Sequence, residues 1–288
     1  MRRALTILAY LLPAIIPIAL FTYYPVLIGA QMAFRRWVIY DVTNAPWVGL
    51  DNFKGLFVDA DFQQIALNSL VWVVGSLVPQ LLIGFGLALL MRRTFRGRGL
   101  YQALVFYPWA VSGFLIGILF RWMFNAEFGV INDLLRKAGL IETPIPWLAQ
   151  PGTAMTAVII ANVWYGVTFF AIMILAALQS VPDELLEAAA LDGASKTATL
   201  FRVVIPYIRN TLLLTILLRV IWIFNFPELI FGMTRGGPAN QTHIITSWMI
   251  VVTQNGDYGV ASAMGLMVVG FLTLFSLFYL LALKRQDA

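Results

Sequence analysis

Val181-Pro182-Asp183-Glu184-Leu185-Leu186-Glu187-Ala188-Ala189-Ala190-Leu191-Asp192-Gly193-Ala194-Ser195, running on through Phe201 to Ile205-Pro206, is a polar island between two apolar segments of membrane-spanning length. Its residue order predicts a short helix, a glycine break and a second short helix. Ser180 is placed to cap the first helix, Pro182 suits its first turn, and Asp183, Glu184 and Glu187 complement the positive helix end. Gly193 supplies a residue that adopts positive φ at the helix C-terminus, and Ser195 caps the next turn. Pro206 is expected to stop the second helix before the chain returns to an apolar segment. A polar helix-turn-helix inside a membrane loop has to dock on something.

Composition places the rest of the chain in a membrane. Sixty per cent of the 288 residues are apolar and only 11% are charged, with a mean hydropathy of +0.84, far outside the soluble range. Six spans are expected, at about 5–34, 65–91, 101–124, 155–178, 212–233 and 260–283. Each meets the ~20 helical residues needed to cross a hydrocarbon core. Backbone polar groups in lipid need internal partners, so the fold class is an all-α integral membrane protein. The start, Met1-Arg2-Arg3 before an apolar run, is too long for a signal-peptide core, and no Ala-x-Ala site follows. The chain has no cysteine, which removes disulfide and thiol chemistry.

Basic residues set the orientation. Taking Arg2, Arg3, the 92–98 arginines, the 196–209 bases, Lys284 and Arg285 together, one side carries eleven bases and five acids, and the other seven and eight. The positive-inside rule then makes both termini and the Glu187 loop cytoplasmic. The basic balance reflects topology and lipid headgroups rather than nucleic acid.

Between the spans, the outer loops at about 35–64, 125–154 and 234–259 are rich in Gly, Pro, Asn and Asp, and residues 51–62 suggest a short interfacial helix. Tyr23, Tyr24, Trp37, Trp47, Trp109 and Trp122 fall where interfacial belts form. Gly113 and Gly117, and Ala261 and Gly265, have the spacing of close helix contacts. Pro79 and Pro227 are expected to kink the second and fifth spans.

Enzyme chemistry finds no residues to work with. His243 is the single histidine, so no His cluster exists for zinc. Gly193-Ala194-Ser195-Lys196-Thr197 fails as a phosphate loop, because Ser195 and Ala190 occupy the positions that need glycine. Any nucleotide hydrolysis belongs to a partner. In the spans, Asn162, Trp164, Tyr165, Asn225 and Gln80 are polar or aromatic groups of the kind that bind sugars or hold a structure together. Arg219 and Glu228 lie nine residues apart, on different helix faces, so they do not pair within one helix. Arg219 is read as lining a cavity or meeting a neighbouring subunit, and Glu228 as an outer-interface residue or a solute contact.

Glu187-Ala188-Ala189, Asp192-Gly193-Ala194, Phe201 and Ile205-Pro206 resemble the EAA loop of permease subunits in binding-protein-dependent ABC importers. The flanking strings Trp47-Val48-Gly49-Leu50-Asp51-Asn52-Phe53, Gly236-Gly237-Pro238-Ala239 and Tyr258-Gly259-Val260-Ala261-Ser262-Ala263 are similar to those of maltose and glycerol-3-phosphate type sugar permeases. The resemblance implies a single permease domain over 1–288, with 181–206 as its cytoplasmic ATPase-coupling loop. It further implies a second homologous permease subunit, two cytoplasmic ATPases holding ATP and Mg, and an extracytoplasmic solute-binding protein at a bacterial inner membrane. Coupling would fall to Glu187, Ala188, Ala189, Asp192, Gly193, Ala194, Phe201 and Pro206. The substrate-pathway candidates are Asn162, Trp164, Tyr165, Asn225 and Glu228. No cofactor or metal is expected on this chain. The rival reading, an ion- or proton-coupled secondary transporter of small polar solutes, calls for paired intramembrane carboxylates, and Glu228 is a lone candidate.

Overall fold

A computed structural model describes residues 2–93 and 95–284; of the basic and acidic residues used for orientation, Arg285 and Asp287 lie outside them. Among the described residues, four helices are long and apolar enough to cross a membrane, or six spans when each of two bent helix pairs counts as one. The chain divides into two compact units, residues 1–63 with 248–273, and residues 64–247 with 274–288.

The first unit begins with α1 (Arg2–Ile18), a widened π turn (Ala19–Tyr23) and α2 (Tyr24–Met32). The apolar window of Tyr10–Met32 has none of its residues buried within the chain, so lipid or another subunit must cover it. The π turn sits where Pro25 enters α2: proline has no N–H for the carbonyl four residues back, and Tyr24 N–H reaches Ala19 O instead. Beyond it lie α3 (Asp51–Val58), the interfacial helix expected at 51–62, and the first part of α15 (Tyr258–Lys284). Two of the sequence strings meet here. Asn52 Nδ2 donates to Ala33 O and Arg35 O at 2.8 and 2.9 Å, while Gly259 N donates to Trp37 O at 3.0 Å. A methyl group on Gly259 would strike the Arg35 carbonyl, which accounts for glycine there.

The second unit contains most of α4 (Ala60–Arg92), then α5 (Arg98–Phe106), α6 (Gly113–Met123), α7 (Val130–Lys137), α8 (Pro151–Gln179), α9 (Asp183–Leu191), α10 (Lys196–Thr199), α11 (Ile205–Tyr207), α12 (Arg209–Phe224), α13 (Pro227–Met233) and the start of α14 (Ile245–Gln254). Its core runs along α8, where Phe170, Ile174 and Leu178 are fully buried against Ala88 and Met91 of α4 and Val204 and Ile208 beyond α10. Between α6 and α13, a methyl on Gly117 would lie 2.9 Å from Gly232 Cα, and one on Gly232 3.1 Å from Gly117 Cα. The Gly113/Gly117 spacing therefore does serve close packing.

Several expectations are corrected. The third span is not one helix: α5 ends in a 3-10 turn at Tyr107–Ala110 and meets α6 at 102°. Pro108 lacks the donor a continuous helix needs, and Val111 and Ser112 are extended, with Ser112 Oγ accepting from Leu115 N to cap α6. Pro227 does not kink a helix but opens a new one; α12 ends at Phe224, and Asn225 and Phe226 are non-helical. Pro79, by contrast, lies within the continuous helix α4. Ser180 caps the end of α8, its Oγ donating to Ala177 O, rather than the start of α9, and Pro182 stands one residue before α9 in extended conformation. Pro206 does not stop the second helix. A second π turn, Leu200–Val204, absorbs its missing donor through Ile205 N–H to Leu200 O, and the bend comes two residues later at Ile208, where the pair Lys196–Tyr207 and Arg209–Phe224 turns by 69°.

Candidate functional site

Two constellations carry the sequence-predicted residues. The first is the connector between α9 and α10. Gly193 takes φ +73, Ala194 N donates to Ala189 O at 2.9 Å and Gly193 N to Ala190 O at 3.1 Å. This is the Schellman pattern that closes a helix on a left-handed residue. Ser195 Oγ then accepts from Ala198 N at 3.2 Å and caps α10. The angle between the two helices is thus set by backbone bonds within seven residues.

Around this hinge, Ala189 is buried while Glu187, Ala188, Asp192 and Pro206 are exposed. Leu191 is 89% and Phe201 62% exposed. At the root of the pair, Val181, Val204 and Ile208 are buried with Leu178. The connector is fastened at its base and bare at its tip.

The second constellation lies inside the spans. Arg219 of α12 is 3% exposed, and its Nε donates to Gln80 Oε1 of α4 at 2.7 Å. Gln80 Nε2 donates in turn to the main-chain oxygen of Asn162 in α8 at 2.8 Å. The guanidinium carbon stands 5.9 Å from the Tyr165 ring centre and 5.7 Å from that of Phe169, distances at which a cation is attracted to a ring face. Tyr165 stacks on Phe226 at 5.1 Å with 7° between planes. Tyr165, Arg219, Trp222, Asn225 and Phe226 line one cavity.

Of the pathway candidates, Tyr165 and Asn225 come together there. Asn162 is fully buried, and its side-chain amide has no hydrogen-bond partner among the described residues. Trp164 packs on Phe120 at 5.6 Å, and Glu228 is exposed in the first turn of α13. Sequence reasoning missed the Arg219–Gln80 contact, since 139 residues separate them, and it missed Gly166. A methyl group on Gly166 would overlap the Arg219 guanidinium and the Gln80 amide. One intrahelical signal existed: Gly166 lies four residues after Asn162, on the same helix face.

His243 lies between α13 and α14. Its Nδ1 is 2.9 Å from Ser247 Oγ, and burial lowers its pKa to about 4. It is neutral at physiological pH. Among the described residues, no group of three or more His, Cys, Asp or Glu side chains is arranged to hold a metal ion.

Comparison with known proteins agrees with this architecture. The family model described as binding-protein-dependent transport system inner membrane component matches residues 80–288. A probable ABC transporter permease protein of Brucella suis biovar 1 is 33% identical over 82% of this chain and 82% of its own length. The trehalose/maltose transport system permease protein MalF of Thermococcus litoralis is 29% identical over 94% of this chain and 90% of its own. Among solved structures, a bacterial ABC transporter involved in the import of the acidic polysaccharide alginate superposes with a TM-score of 0.85 at 28% identity, covering 99% of this chain and 96% of that one. A second alginate transporter structure, in complex with an alginate pentasaccharide-bound periplasmic protein, gives 0.82 at 27% identity over 96% and 93%. The all-helical fold, the bent spans and the match over residues 80–288 make this chain a member of the binding-protein-dependent transport system inner membrane component family, a multi-pass permease subunit of an ABC importer.

Proposed function

We propose that this permease translocates a sugar or sugar derivative and that α9–α10 is its cytoplasmic docking element for an ATPase. The observation that carries the docking reading is the bare tip of the connector. Leu191 and Phe201 hold large apolar surface in water at 89% and 62% exposure, on helices whose mutual angle is locked. Exposed apolar side chains on a rigid, rooted projection suit insertion into a partner's groove. Ala188 and Ala190 keep the helix slim, and Glu187 and Asp192 supply polar contacts at its margin. The sugar class is supported by the trehalose/maltose permease and the alginate transporters among the similar proteins.

In this reading the chain, as a single permease domain over 1–288 with 181–206 as its lever, works beside a second homologous permease and two ATPases. These hold ATP and Mg and perform the hydrolysis, and a solute-binding protein delivers solute from outside. The Gly193–Thr197 segment is a helix connector, not a phosphate cradle. ATP-driven closure of the ATPases moves α9–α10 as a unit, and the spans behind it pass from inward-facing to outward-facing. Membrane lipid covers the outer apolar faces.

Co-purification in mild detergent tests the assembly: ATPase subunits accompany this chain under the importer reading, and their absence overturns it. Orientation follows from the charge asymmetry in the sequence, with both termini cytoplasmic. A reporter fused after residue 97 or 195 is expected in the cytoplasm, and one near residue 45, 140 or 240 outside. An exported reporter at 195 would remove the docking argument. In the pathway, Asn225→Ala is expected to lower uptake several-fold with the complex still assembled. Trp164→Ala, which removes a ring packed on Phe120, serves as the comparison. Equal uptake by Asn225→Ala and wild type would make Asn225 a helix-end residue only.

A further inference from the structure

We infer that Arg219 is the anion-recognition group of a solute subsite in this chain, taking a solute that bears a carboxylate, sulfonate or phosphate. The inference deepens the importer reading and rests on it. A guanidinium offers five N–H donors in a planar fork. One, on Nε, goes to Gln80. The plate is flanked by Tyr165 and Phe169 rings, which accept no hydrogen bond in its plane. Among the described residues the ion pairs are Lys54–Asp51 and Lys137–Asp133, both exposed and far along the chain from Arg219. Among the described residues, no carboxylate is within ion-pair distance of Arg219. Glu228, the acid that follows it in sequence, is exposed at the start of α13. Among the described residues, the hydrogen bond of the Arg219 guanidinium is the one from Nε, and Arg219 lines a cavity of about 220 Å³.

A charge inside a membrane span that meets no opposite charge is rare unless it faces a pathway. A packing role would be met as well by an apolar side chain of similar volume. The surroundings instead fix the fork. Asn162 O orients the Gln80 amide, so that Gln80 Oε1 points at Nε, and the absence of a Cβ on Gly166 leaves room for the terminal nitrogen. With Nε on Gln80 and one terminal nitrogen against Gly166, the remaining guanidinium N–H groups are left to meet an anionic oxygen.

The other walls suit the rest of a sugar. Trp222 and Phe226 supply apolar surface. Asn225 donates one amide hydrogen to Ile221 O at 3.1 Å, which leaves Oδ1 for a solute hydroxyl. Being smaller than the ~300–1,000 Å³ typical of drug-sized sites, the cavity fits one residue of a saccharide rather than a chain.

Because the sequence has no cysteine, Asn225→Cys introduces one thiol into this subunit. The full complex carrying it is treated with two methanethiosulfonates, the anionic sulfonatoethyl and the cationic trimethylammonioethyl reagent. The anionic reagent is expected to gain rate over the cationic one, and Arg219→Gln should lower that rate ratio by about tenfold, since a nearby charge acts through low-dielectric walls. Arg219→Lys should keep most of it. Cellobiouronic acid is expected to protect the thiol at concentrations where neutral cellobiose does not.

A rate ratio indifferent to Arg219→Gln, or equal protection by the two disaccharides, overturns the inference. Should Arg219→Gln fail to assemble, the protection comparison in the Arg219 background decides alone. Loss of the ATPases on purification would sink the importer reading instead, and the labelling ratio does not depend on that result.

Discussion

Gly193→Val is expected to uncouple ATP hydrolysis from solute uptake, with uptake falling about tenfold or more while the chain still folds. The residue sits at φ +73 with nothing within 4 Å of where a side chain would begin. Its substitution therefore meets no steric wall, and the whole effect passes through the backbone. A side chain in the left-handed region costs on the order of 1–2 kcal/mol, and β-branching adds to that. The segment relieves the strain by leaving φ +73, which breaks the bonds from Ala194 N to Ala189 O and from Gly193 N to Ala190 O and swings α10 relative to α9. A change of 1.4 kcal/mol is tenfold in an equilibrium, so a modest strain suffices to depopulate the docking geometry.

Gly193→Asn is the control, because asparagine tolerates the left-handed region, and it should retain most of the uptake. Glu187→Ala is expected to act in the same direction more mildly, removing a polar contact without touching the backbone. Reconstituted ATPase activity and uptake, with subunit stoichiometry measured in parallel, decide the matter. Wild-type uptake and stoichiometry in Gly193→Val would reduce the α9–α10 pair to a connector.

Gly166→Val is expected to lower the thermal stability of the purified subunit well below that of Gly86→Val. The added atoms occupy the space of the Arg219 guanidinium and the Gln80 amide. Overpacking alone costs about 1–3 kcal/mol, and displacing Gln80 removes a buried hydrogen bond to a charged group, about 1.5–3 kcal/mol more. Gly86→Val is the matched comparison, since a side chain at Gly86 meets nothing within 4 Å and glycine-to-valine changes are otherwise alike. Unfolding midpoints in nanodiscs, measured for both, should separate them clearly. Equal midpoints would mean that Arg219 and Gln80 move aside freely and that the hydrogen bond between them contributes little.

Both predictions start from glycines, but they were legible to different degrees. Gly193 is readable from its neighbours: acids at the front of a helix, a glycine after Asp192 and a capping serine two residues on form a local code. Gly166 shows nothing of the kind, because the side chains that require it come from α4 and α12. The apolar runs predicted where most helices lie, but not that Pro108 would sit at a helix break and Pro227 would open a new helix whereas Pro79 would sit inside one. A proline only removes a donor; whether the helix breaks depends on whether neighbours hold the freed groups. At the α12 end, Trp72 Nε1 donates to Ile223 O at 2.8 Å and Thr246 Oγ1 to Phe224 O at 3.1 Å, and these bonds make the interruption at Asn225 and Phe226 affordable.

By itself, then, the sequence determined residence in the membrane, the positions of the apolar runs, and the hinge at Gly193 with its cap at Ser195. All of these follow from transfer free energy and from hydrogen bonds spanning five residues or fewer. Tertiary structure alone decided the meeting of Asn52 and Gly259 with the same stretch of backbone and the partnership of Gln80 with Arg219. Those outcomes depend on how each helix is rotated and tilted against the others. That rotation is set by side-chain packing and by hydrogen bonds shared between residues from 17 to 139 or more positions apart.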